Sequence, residues 1–425
     1  MRICIIGAGV VGKYLAENLS KEGYEIAIID KDRKKIIPVV ENLDVLAVEC
    51  DVLKDRCIYK LKDFDLFIVA TDRDEVNISI ALLLRAILKT PKIIVRTKET
   101  ILSDREIASF LDIEIFDTYN EVITTIDNII KYPSISSIYE FEDGKLVLFT
   151  YKIKKDDFLN GKRLIDLRDI RKTLKFTVAL VERNNTKIIP SGSTQLLEGD
   201  NIYILLEKNN LHHWLGKFLI RNEIIRNIYI LGYSKLGFHI IEHLYNKFNI
   251  KVFEPDLKKC EELATRFPKI LVLNTSLTDK ETLIMEEIGN ADLVISPSHR
   301  EDSILASILS KQLGAKKVMA VIENPEYERI ISTLGIDIPI VSRKLIAKRV
   351  YRAIRHRRIL DSFDLGEEIS LKEILVDREL RDKKVHQISK ENFIILSLER
   401  NGELYLVDGN TQLREGDILL VLERK

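Results

Sequence analysis

The sequence is poor in several residue types that would mark a specialised protein class. Its 425 residues include only four cysteines and one tryptophan, and 66 Lys and Arg residues balance 66 Asp and Glu residues. A net charge of zero argues against a large nucleic-acid-binding surface. Cys4, Cys50, Cys57 and Cys260 form no CxxC pair and have no histidine cluster beside them. We therefore expect buried free thiols in a reducing compartment and no metal site.

Long uncharged apolar runs are also missing. No stretch approaches the roughly 18 residues that a membrane-spanning helix needs. Met1 leads directly into a strand-like segment without the pattern of a signal peptide. We expect a cytoplasmic protein, which a partner must hold if it works as a peripheral protein on the cytoplasmic face of the cell membrane.

The chain contains an internal repeat. Residues 1–12 (MRICIIGAGVVG) resemble residues 226–237 (RNIYILGYSKLG), at a distance of 225 residues. In a second repeat, residues 192–200 (GSTQLLEGD) and 409–417 (GNTQLREGD) are identical at seven of nine positions. The order is therefore A–B–A′–B′. We predict domains at 1–132, 133–222, 223–363 and 364–425.

The two kinds of unit differ in their hydrophobic pattern. Each A unit alternates continuously apolar strands with amphipathic helices, which is typical of a parallel sheet covered on both faces. Each B unit has short strands separated by turn residues. The sequence thus predicts an α/β protein in which two doubly wound, Rossmann-like domains alternate with two small α+β domains rich in strand.

The first A unit carries a dinucleotide-binding fingerprint. Its GxGxxG consists of Gly7, Ala8, Gly9, Val10, Val11 and Gly12. In such a site the first glycine allows the tight turn, the second admits a pyrophosphate and the third lets the helix pack on the sheet. Asp30 follows Gly12 by eighteen residues and ends the second apolar run. Its carboxylate would bind ribose hydroxyls and favour NAD(H) over NADP(H), although Lys31 and Arg33 weaken this preference. The alternative is a glycine-rich turn without a ligand.

Polar residues at the predicted strand ends complete a candidate rim. Asp51 ends the third strand, Thr71 and Asp72 end the fourth, and Arg96 ends the fifth. Asn77 lies in the first turn of the following helix. Each residue alone is equally compatible with a helix cap or a solvated loop. Together they surround the edge of the sheet where ligands of this fold bind.

The fingerprint of the second A unit is altered. Gly232 and Gly237 are kept, but Ser234 stands where the closest backbone approach needs glycine. Glu254 keeps the carboxylate, and Ser303 replaces Asn77. We interpret this site as weaker, changed in ligand or purely structural.

No catalytic constellation accompanies the fingerprint. A dehydrogenase needs a proton donor and a substrate anchor beside the nicotinamide. Residues 133–210 contain no histidine, and the second B unit contains only His386. We expect no catalytic residues, and an NAD-dependent oxidoreductase is the less favoured alternative.

One amphipathic segment is strongly basic. Between Ser342 and Leu360 the apolar residues Ile346, Val350, Ala353 and Ile354 recur at helical spacing among eight Lys and Arg residues. This pattern predicts a helix with a basic face. That face is either solvated or a docking surface for a partner or an anionic membrane.

Several motifs together resemble the TrkA family of Trk-type potassium uptake systems. They are GAGVVG with Asp30, ATDRDEVN (70–77), KIIVRT (92–97), LGAKKVMAVIENPEY (313–327), VSRKLIAKRV (341–350) and the B-unit pattern of Pro190, Gly192 and Glu198-Gly199-Asp200. The resemblance covers essentially the whole chain. Val407 departs from the expected proline, and the second glycine loop departs as described.

The resemblance implies two RCK-type nucleotide-binding domains, each followed by an RCK-C domain. It also implies NAD(H) as ligand, with ATP or ADP as further candidates. The expected function is that of a regulatory subunit that gates a TrkH-like, potassium-translocating membrane subunit. A homo-oligomer, dimer or tetramer, is expected through the RCK domains. A regulator of a different potassium channel or antiporter is the alternative.

Overall fold

The computed structural model describes residues 1–88, 92–98, 105–141, 145–184, 186–218, 224–298, 300–354, 359–364, 369–389, 393–401, 403–407 and 409–424. The chain divides into two compact units. The first unit contains Met1–Thr124 and Tyr229–Ile354, and the second contains Thr125–Ile228 and Arg355–Lys425. The two A regions therefore share one unit and the two B regions share the other.

The first A region is a six-stranded parallel sheet. Its strands are β1 (Arg2–Ile6), β2 (Glu25–Asp30), β3 (Leu46–Glu49), β4 (Leu66–Val69), β5 (Lys92–Thr97) and β6 (Glu114–Asp117). They lie in the order β3-β2-β1-β4-β5-β6. The helices are α1 (Val10–Lys21), α2 (Arg33–Asn42), α3 (Asp74–Ile87), α4 (Arg105–Phe110) and α5 (Thr118–Lys131). This strand order reverses direction between β1 and β4, which is the switch point where such sheets bind ligands.

The first B region is a five-stranded antiparallel sheet in the order β10-β9-β11-β8-β7. Its strands are β7 (Ile135–Phe141), β8 (Leu146–Lys152), β9 (Phe176–Arg183), β10 (Thr186–Ile188) and β11 (Asn201–Glu207). Helices α6 (Arg168–Leu174) and α7 (Leu211–Phe218) accompany them. Trp214 of α7 is fully buried against Phe149 and Phe176, so the single tryptophan is a packing residue.

The second A region repeats the first in its topology. Its strands are β12 (Asn227–Leu231), β13 (Asn249–Glu254), β14 (Leu271–Asn274), β15 (Leu293–Ser296), β16 (Val318–Ile322) and β17 (Ile338–Val341). Their order is β14-β13-β12-β15-β16-β17. The helices are α8 (Lys235–Leu244), α9 (Leu257–Arg266), α10 (Lys280–Met285), α11 (Glu301–Gln312), α12 (Tyr327–Thr333) and α13 (Ser342–Ala353).

The second B region repeats the antiparallel sheet as β18-β19-β22-β20-β21. Its strands are β18 (Ile359–Asp364), β19 (Ile369–Leu375), β20 (Phe393–Arg400), β21 (Glu403–Leu406) and β22 (Ile418–Arg424), with the short helix α14 (Val385–Ile388). The predicted α/β class and the alternation of doubly wound parallel-sheet domains with small strand-rich domains are confirmed, and the sheets of the small domains are antiparallel. The predicted boundary at 363/364 falls inside β18; the three domain boundaries stay predictions.

Within the first unit, the two A regions share a hydrophobic core. Ile346, Val350 and Ile354 belong to the same buried cluster as Val11 and Leu15 of α1. The apolar face of the predicted basic helix is thus covered by the other A region. Arg343 and Lys344 at its start pair with Glu323 and Glu328, respectively.

Within the second unit, the two B regions also share a core. Leu146, Leu180 and Leu205 pack with Leu371 and Leu420. The two sheets share an equivalent ion pair with a buried aspartate: Arg183 donates to Asp200 and Arg400 donates to Asp417. In the part of the chain that the structure describes, no helix is both long and apolar enough to span a bilayer.

Candidate functional site

The turn after β1 requires glycine at its first and last positions. Gly7 has φ +110°, and a Cβ there would lie 2.8 Å from the Ala70 carbonyl oxygen. A Cβ on Gly12 would lie 1.8 Å from the carbonyl oxygen of Gly7. Side chains at either position would collide with backbone, so the fold itself demands these two glycines.

The middle glycine is different because the fold does not need it. Gly9 has φ −71°, which any residue adopts, and its Cβ would meet only Asp72 Oδ1 at 3.7 Å. Gly9 is also the N-cap of α1, and no side chain caps that helix in the described structure. The end of α1 thus offers N–H groups and a positive dipole end to an open space. These features fit the pyrophosphate of a dinucleotide.

Asp30 joins the glycine turn to the end of β2. Its Oδ2 accepts the Ala8 N–H at 2.8 Å, and its Oδ1 accepts the Asp32 N–H at 2.9 Å. The side chain is only partly buried. Because each carboxylate oxygen has a second lone pair, Asp30 can hold the turn and still accept hydrogen bonds from a ribose.

An open cavity of about 710 Å³ lies beside this carboxylate. It is lined by Lys31, Asp32, Glu49, Cys50, Asp51 and Asp55. Asp51 thus lies where the sequence analysis expects it, at the end of β3 and beside the predicted ribose site. The four carboxylates outnumber the one lining cation, Lys31, so the wall disfavours an additional phosphate group. Arg33 and Lys54, which pair with Glu49 and Asp51, reduce this effect.

An ion pair joins α2 to the loop after β4. Lys35 Nζ lies 3.2 Å from Asp72 Oδ2. Burial alone would lower the pKa of Lys35, but the hydrogen bond and the charge of Asp72, with the charges of Asp30 and Asp32, leave it raised. Sequence analysis missed Lys35. A lysine on α2 gives no local signal that it reaches a loop 37 residues further on.

Asn77 connects the ends of β4 and β5. It is fully buried, its Oδ1 accepts the Thr71 N–H at 2.9 Å, and its Nδ2 donates to the Arg96 carbonyl at 2.9 Å. The Thr71 hydroxyl also donates to Asn77 Oδ1. The hydrogen bonds of Asn77 therefore hold together the ends of β4 and β5, which form a wall of the crevice. A ligand-binding role for Thr71 stays a prediction.

A cluster of cations lies on the far side of the crevice. Burial lowers the pKa of Arg96, and the nearby carboxylates of Asp72 and Asp74 only partly offset this effect. Arg96 Nε is buried without a hydrogen-bond partner among the described residues. Burial and the charges of Arg96 and Lys235 also lower the pKa of Lys98. Two partly buried cations at this edge of the sheet suit an anionic ligand.

The second crevice is covered by its own side chains. Glu254 is fully buried, and its Oε2 accepts the Tyr233 N–H at 2.6 Å. Tyr233 stands where the first loop has Ala8, and its hydroxyl donates to Glu262 Oε1 of α9 at 3.1 Å. Burial and this bond raise the pKa of Tyr233 to about 12. The tyrosine side chain thus links the glycine loop to α9, and the Glu254 carboxylate is fully buried.

Ser234 closes the end of α8. Its Oγ accepts the Gly237 N–H at 3.0 Å and donates to the Pro297 carbonyl at 2.9 Å. Ser303 is too short to repeat the bridge that Asn77 makes, and its hydroxyl is buried without a partner in the described structure. Gly232 keeps its positive φ of +87°. The glycine turn is preserved while the helix end is capped from within.

The expectation of four free thiols is wrong. Cys50 and Cys57 form a disulfide, with Cα atoms 6.6 Å apart, whereas Cys4 and Cys260 are free and buried. No local motif signals this pair, because a spacing of seven residues specifies neither a redox motif nor a metal site.

Comparison with known sequences decides the family. The TrkA-N domain profile matches residues 3–106 and 228–342, and the TrkA-C domain profile matches residues 148–216 and 367–422. The chain belongs to the TrkA family. Its alternation of TrkA-N and TrkA-C domains is the A–B–A′–B′ order of the repeat.

Two relatives illustrate this membership. A Trk system potassium uptake protein TrkA from Halomonas elongata is 27% identical over 372 residues, covering 86% of this chain and 81% of the relative. A TrkA homolog from Archaeoglobus fulgidus is 27% identical over 440 residues, covering 100% of this chain and 97% of the relative.

The fold also resembles that of solved structures. The GsuK RCK domain covers 99% of this chain and 92% of its own length, with a TM-score of 0.64 and 15% identity. A GsuK channel bound to NAD has a TM-score of 0.64 and 15% identity, over 99% of this chain and 76% of the channel. At this identity the likeness establishes the fold.

Proposed function

We propose that this TrkA-family chain is a cytoplasmic regulatory subunit that binds NAD(H) in its first crevice and gates a Trk-type, TrkH-like potassium-translocating membrane protein. The observation that carries the proposal is the open end of α1. Gly9 leaves room for a phosphate, no side chain caps the helix, and the Asp30 carboxylate is accessible beside it. ADP and ATP share the adenosine and phosphate groups that this site would hold, so they are further candidate ligands.

The surroundings of Asp30 favour a 2′-hydroxyl over a 2′-phosphate. A phosphate would bring additional negative charge to a cavity lined by Asp32, Glu49, Asp51 and Asp55. The proposal therefore ranks NAD(H) above NADP(H).

The packing of α1 could transmit a structural change on ligand binding to the rest of the first unit. The helix that would receive the phosphates shares its hydrophobic core with α13 of the second A region. A ligand that binds one position of α1 more tightly would shift the packing of α13. The coupling is limited by the difference in affinity between the two states, typically about 1–3 kcal/mol.

We propose sensing rather than turnover. The basis is the composition of the B regions: residues 133–210 contain no histidine and the second B unit contains only His386, so neither offers the histidine-based proton donor that a dehydrogenase substrate domain commonly supplies. The oxidoreductase alternative predicts consumption of NADH with a small carbonyl compound, which an absorbance assay measures directly.

The test is a calorimetric titration of the full chain with NADH, NAD, NADPH, ADP and ATP. Asp30→Ala should abolish NADH binding. Glu254→Ala is the matched control, because it removes the corresponding backbone anchor of the second loop without touching the first crevice. Absence of binding by all five nucleotides would refute the proposal. Binding of ADP or ATP alone would retain a sensor but change its signal from redox state to energy charge.

The partner needs a separate experiment. The chain should co-purify with a Trk-type membrane subunit, and the yield should depend on nucleotide. The GsuK RCK domain spans 99% of this chain in fold, so a regulator of a different potassium channel or antiporter is the second candidate. Co-purification with such a channel or antiporter, and not with a Trk-type subunit, would support this second candidate.

A further inference from the structure

The disulfide lies at the wall of the cavity beside the proposed nucleotide site. Cys50 directly follows β3, lines the cavity and is 7% exposed. Cys57 belongs to a short 3-10 turn, Arg56–Lys60, and is only partly buried. The bridge thus connects the end of the edge strand β3 to the 3-10 turn Arg56–Lys60 that follows the intervening loop.

The loop between the two cysteines is a compact turn. The N–H groups of Lys54 and Asp55 donate to the Asp51 carbonyl at 2.9 and 2.7 Å. The Asp51 N–H donates to Asp55 Oδ2 at 2.8 Å. Asp51 and Asp55 both face the cavity, so the disulfide closes a loop whose two carboxylates form part of the cavity wall.

The same bridge lies one hydrogen bond from the residue that holds the glycine turn. The Cys50 N–H donates to the Asp30 carbonyl at 2.9 Å. The Asp30 carboxylate in turn accepts the Ala8 N–H. A change in the position of Cys50 therefore acts on both the cavity wall and the anchor of the glycine loop.

We propose that Cys50 and Cys57 form a reversible dithiol–disulfide couple that sets the nucleotide affinity of the first crevice. This inference rests on the proposed function, in its ligand and its cytoplasmic location. Disulfides of cytoplasmic proteins are generally transient and take part in catalysis or redox sensing. A bridge between a strand end and a ligand-facing turn fits the second role.

The chemistry is an exchange with a small disulfide such as oxidised glutathione. The thiolate of Cys57, the more exposed residue, attacks one sulfur of the oxidant, breaks its S–S bond and forms a mixed disulfide. The Cys50 thiolate then attacks Cys57 Sγ and releases the second small thiol. One S–S bond is lost and one is formed, and the two protein protons leave with the two small thiols.

Oxidation should strengthen binding because the bridge orders the cavity wall before the ligand arrives. When the wall is already ordered in the free protein, ligand binding does not have to order it, so this entropic cost no longer weakens the affinity. We expect NADH to bind about tenfold more tightly to the oxidised chain. Reciprocity then requires NADH to stabilise the disulfide by the same factor, which lowers the midpoint potential of this two-electron couple by about 30 mV.

The experiment uses the full chain equilibrated in glutathione buffers of graded potential. Mass spectrometry after alkylation measures the fraction of Cys50–Cys57 disulfide with and without NADH. Calorimetry measures NADH affinity in the fully oxidised and fully reduced protein. Cys57→Ser and Cys50→Ser/Cys57→Ser should bind like the reduced protein and lose all redox dependence. Cys260→Ser, which removes a free thiol of the second A region, should behave as wild type.

The outcomes separate the two proposals. A disulfide that forms, together with equal NADH affinity in both redox states, would overturn the redox inference and leave the proposed function intact. If Cys50 and Cys57 stayed free thiols at every potential, the redox inference would also be overturned and the proposed function would be unaffected. NADH binding in neither state would refute the proposed function, and the redox inference with it, while the ligand-free titration would still report whether the bridge forms.

Discussion

The two A regions have the same strand order and the same glycine turn, yet their crevices differ. In the first, Ala8 and Gly9 leave the end of α1 open. In the second, Tyr233 bonds Glu262 and Ser234 caps α8. The comparison separates two requirements that a GxGxxG motif combines. The fold of the first loop requires its two outer glycines, and the second loop keeps both. The fold does not require the middle glycine, and we propose that it and its small neighbour serve a ligand.

The acidic residue illustrates the same separation. Asp30 and Glu254 each accept the N–H that follows the first glycine of their loop. Asp30 remains accessible, but Glu254 is fully buried beneath the loop. A carboxylate at the end of the second strand is therefore a structural anchor first. We propose that it binds a ribose only where the loop leaves it accessible, as at Asp30.

The largest expected effect concerns the third glycine of each loop. Gly12→Ala would place a Cβ 1.8 Å from a backbone oxygen, whereas Gly237→Ala would place it 3.0 Å from the Pro297 side chain. Overpacking of this kind costs about 1–3 kcal/mol. We expect about 3 kcal/mol lost in the first case and about 1 kcal/mol in the second, measured by urea unfolding. Equal losses would contradict the claim that the first turn is packed more tightly.

The second-largest effect is expected for Gly9→Ser, a substitution that gives the first loop the serine of the second. In Gly9→Ser the new Cβ meets no atom closer than 3.7 Å, so stability should change by less than about 0.5 kcal/mol. The serine would occupy the phosphate position and cap α1. NADH affinity should fall about a hundredfold, or about 2.7 kcal/mol, by calorimetry. Unchanged affinity in a folded variant would show that the ligand does not use this helix end.

The third experiment makes the second loop like the first. Tyr233→Ala/Ser234→Gly removes both side chains that close the second crevice. We expect its NADH affinity to rise at least about tenfold, or 1.4 kcal/mol, and the stoichiometry to rise from one to two per chain. Tyr233→Phe is the matched control, because it keeps the ring and removes the hydroxyl. A stoichiometry that stays at one would mean that Glu254 remains inaccessible without the tyrosine.

The smallest effect concerns the cation that the second region lacks. Arg96 and Val321 occupy equivalent positions, since each pairs with the penultimate residue of the next strand. Arg96→Val should lower NADH affinity about threefold, or roughly 0.7 kcal/mol, because an incompletely paired cation is lost. Thermal melting of the ligand-free chain should show equal or higher stability, since a buried Nε without a partner is removed. A loss of both stability and affinity would indicate a structural role instead.

Much of this architecture is predictable from the sequence because it depends on local patterns. Continuous apolar runs separated by amphipathic helices specify parallel strands, and the 225-residue repeat specifies a second copy. The glycine spacing specifies the turn at Gly7. These features depend only on residues within a few dozen positions along the chain, so they can be predicted from the sequence alone.

The roles of individual polar residues were less predictable. Asn77 was a candidate for the rim, but its amide bridges two strand ends. The sequence predicts an amphipathic helix with a basic face but does not reveal that its apolar face packs against α1; the role of the basic face stays a prediction. Cys50 and Cys57 gave no signal at all. In each case the partner lies on an element whose proximity depends on strand order, and a single sequence does not display strand order directly.

The sequence by itself thus determined the duplicated α/β fold, the family and the position of the intact fingerprint. Only the tertiary structure decided that Tyr233 and Ser234 close the second crevice, that Lys35 meets Asp72 across 37 residues, and that Ser234 reaches a carbonyl 63 residues away. The physical reason is one of distance along the chain. The spacing of residues along the sequence determines the local backbone conformation. Which side chains meet at the edge of a sheet depends instead on which strands lie next to each other.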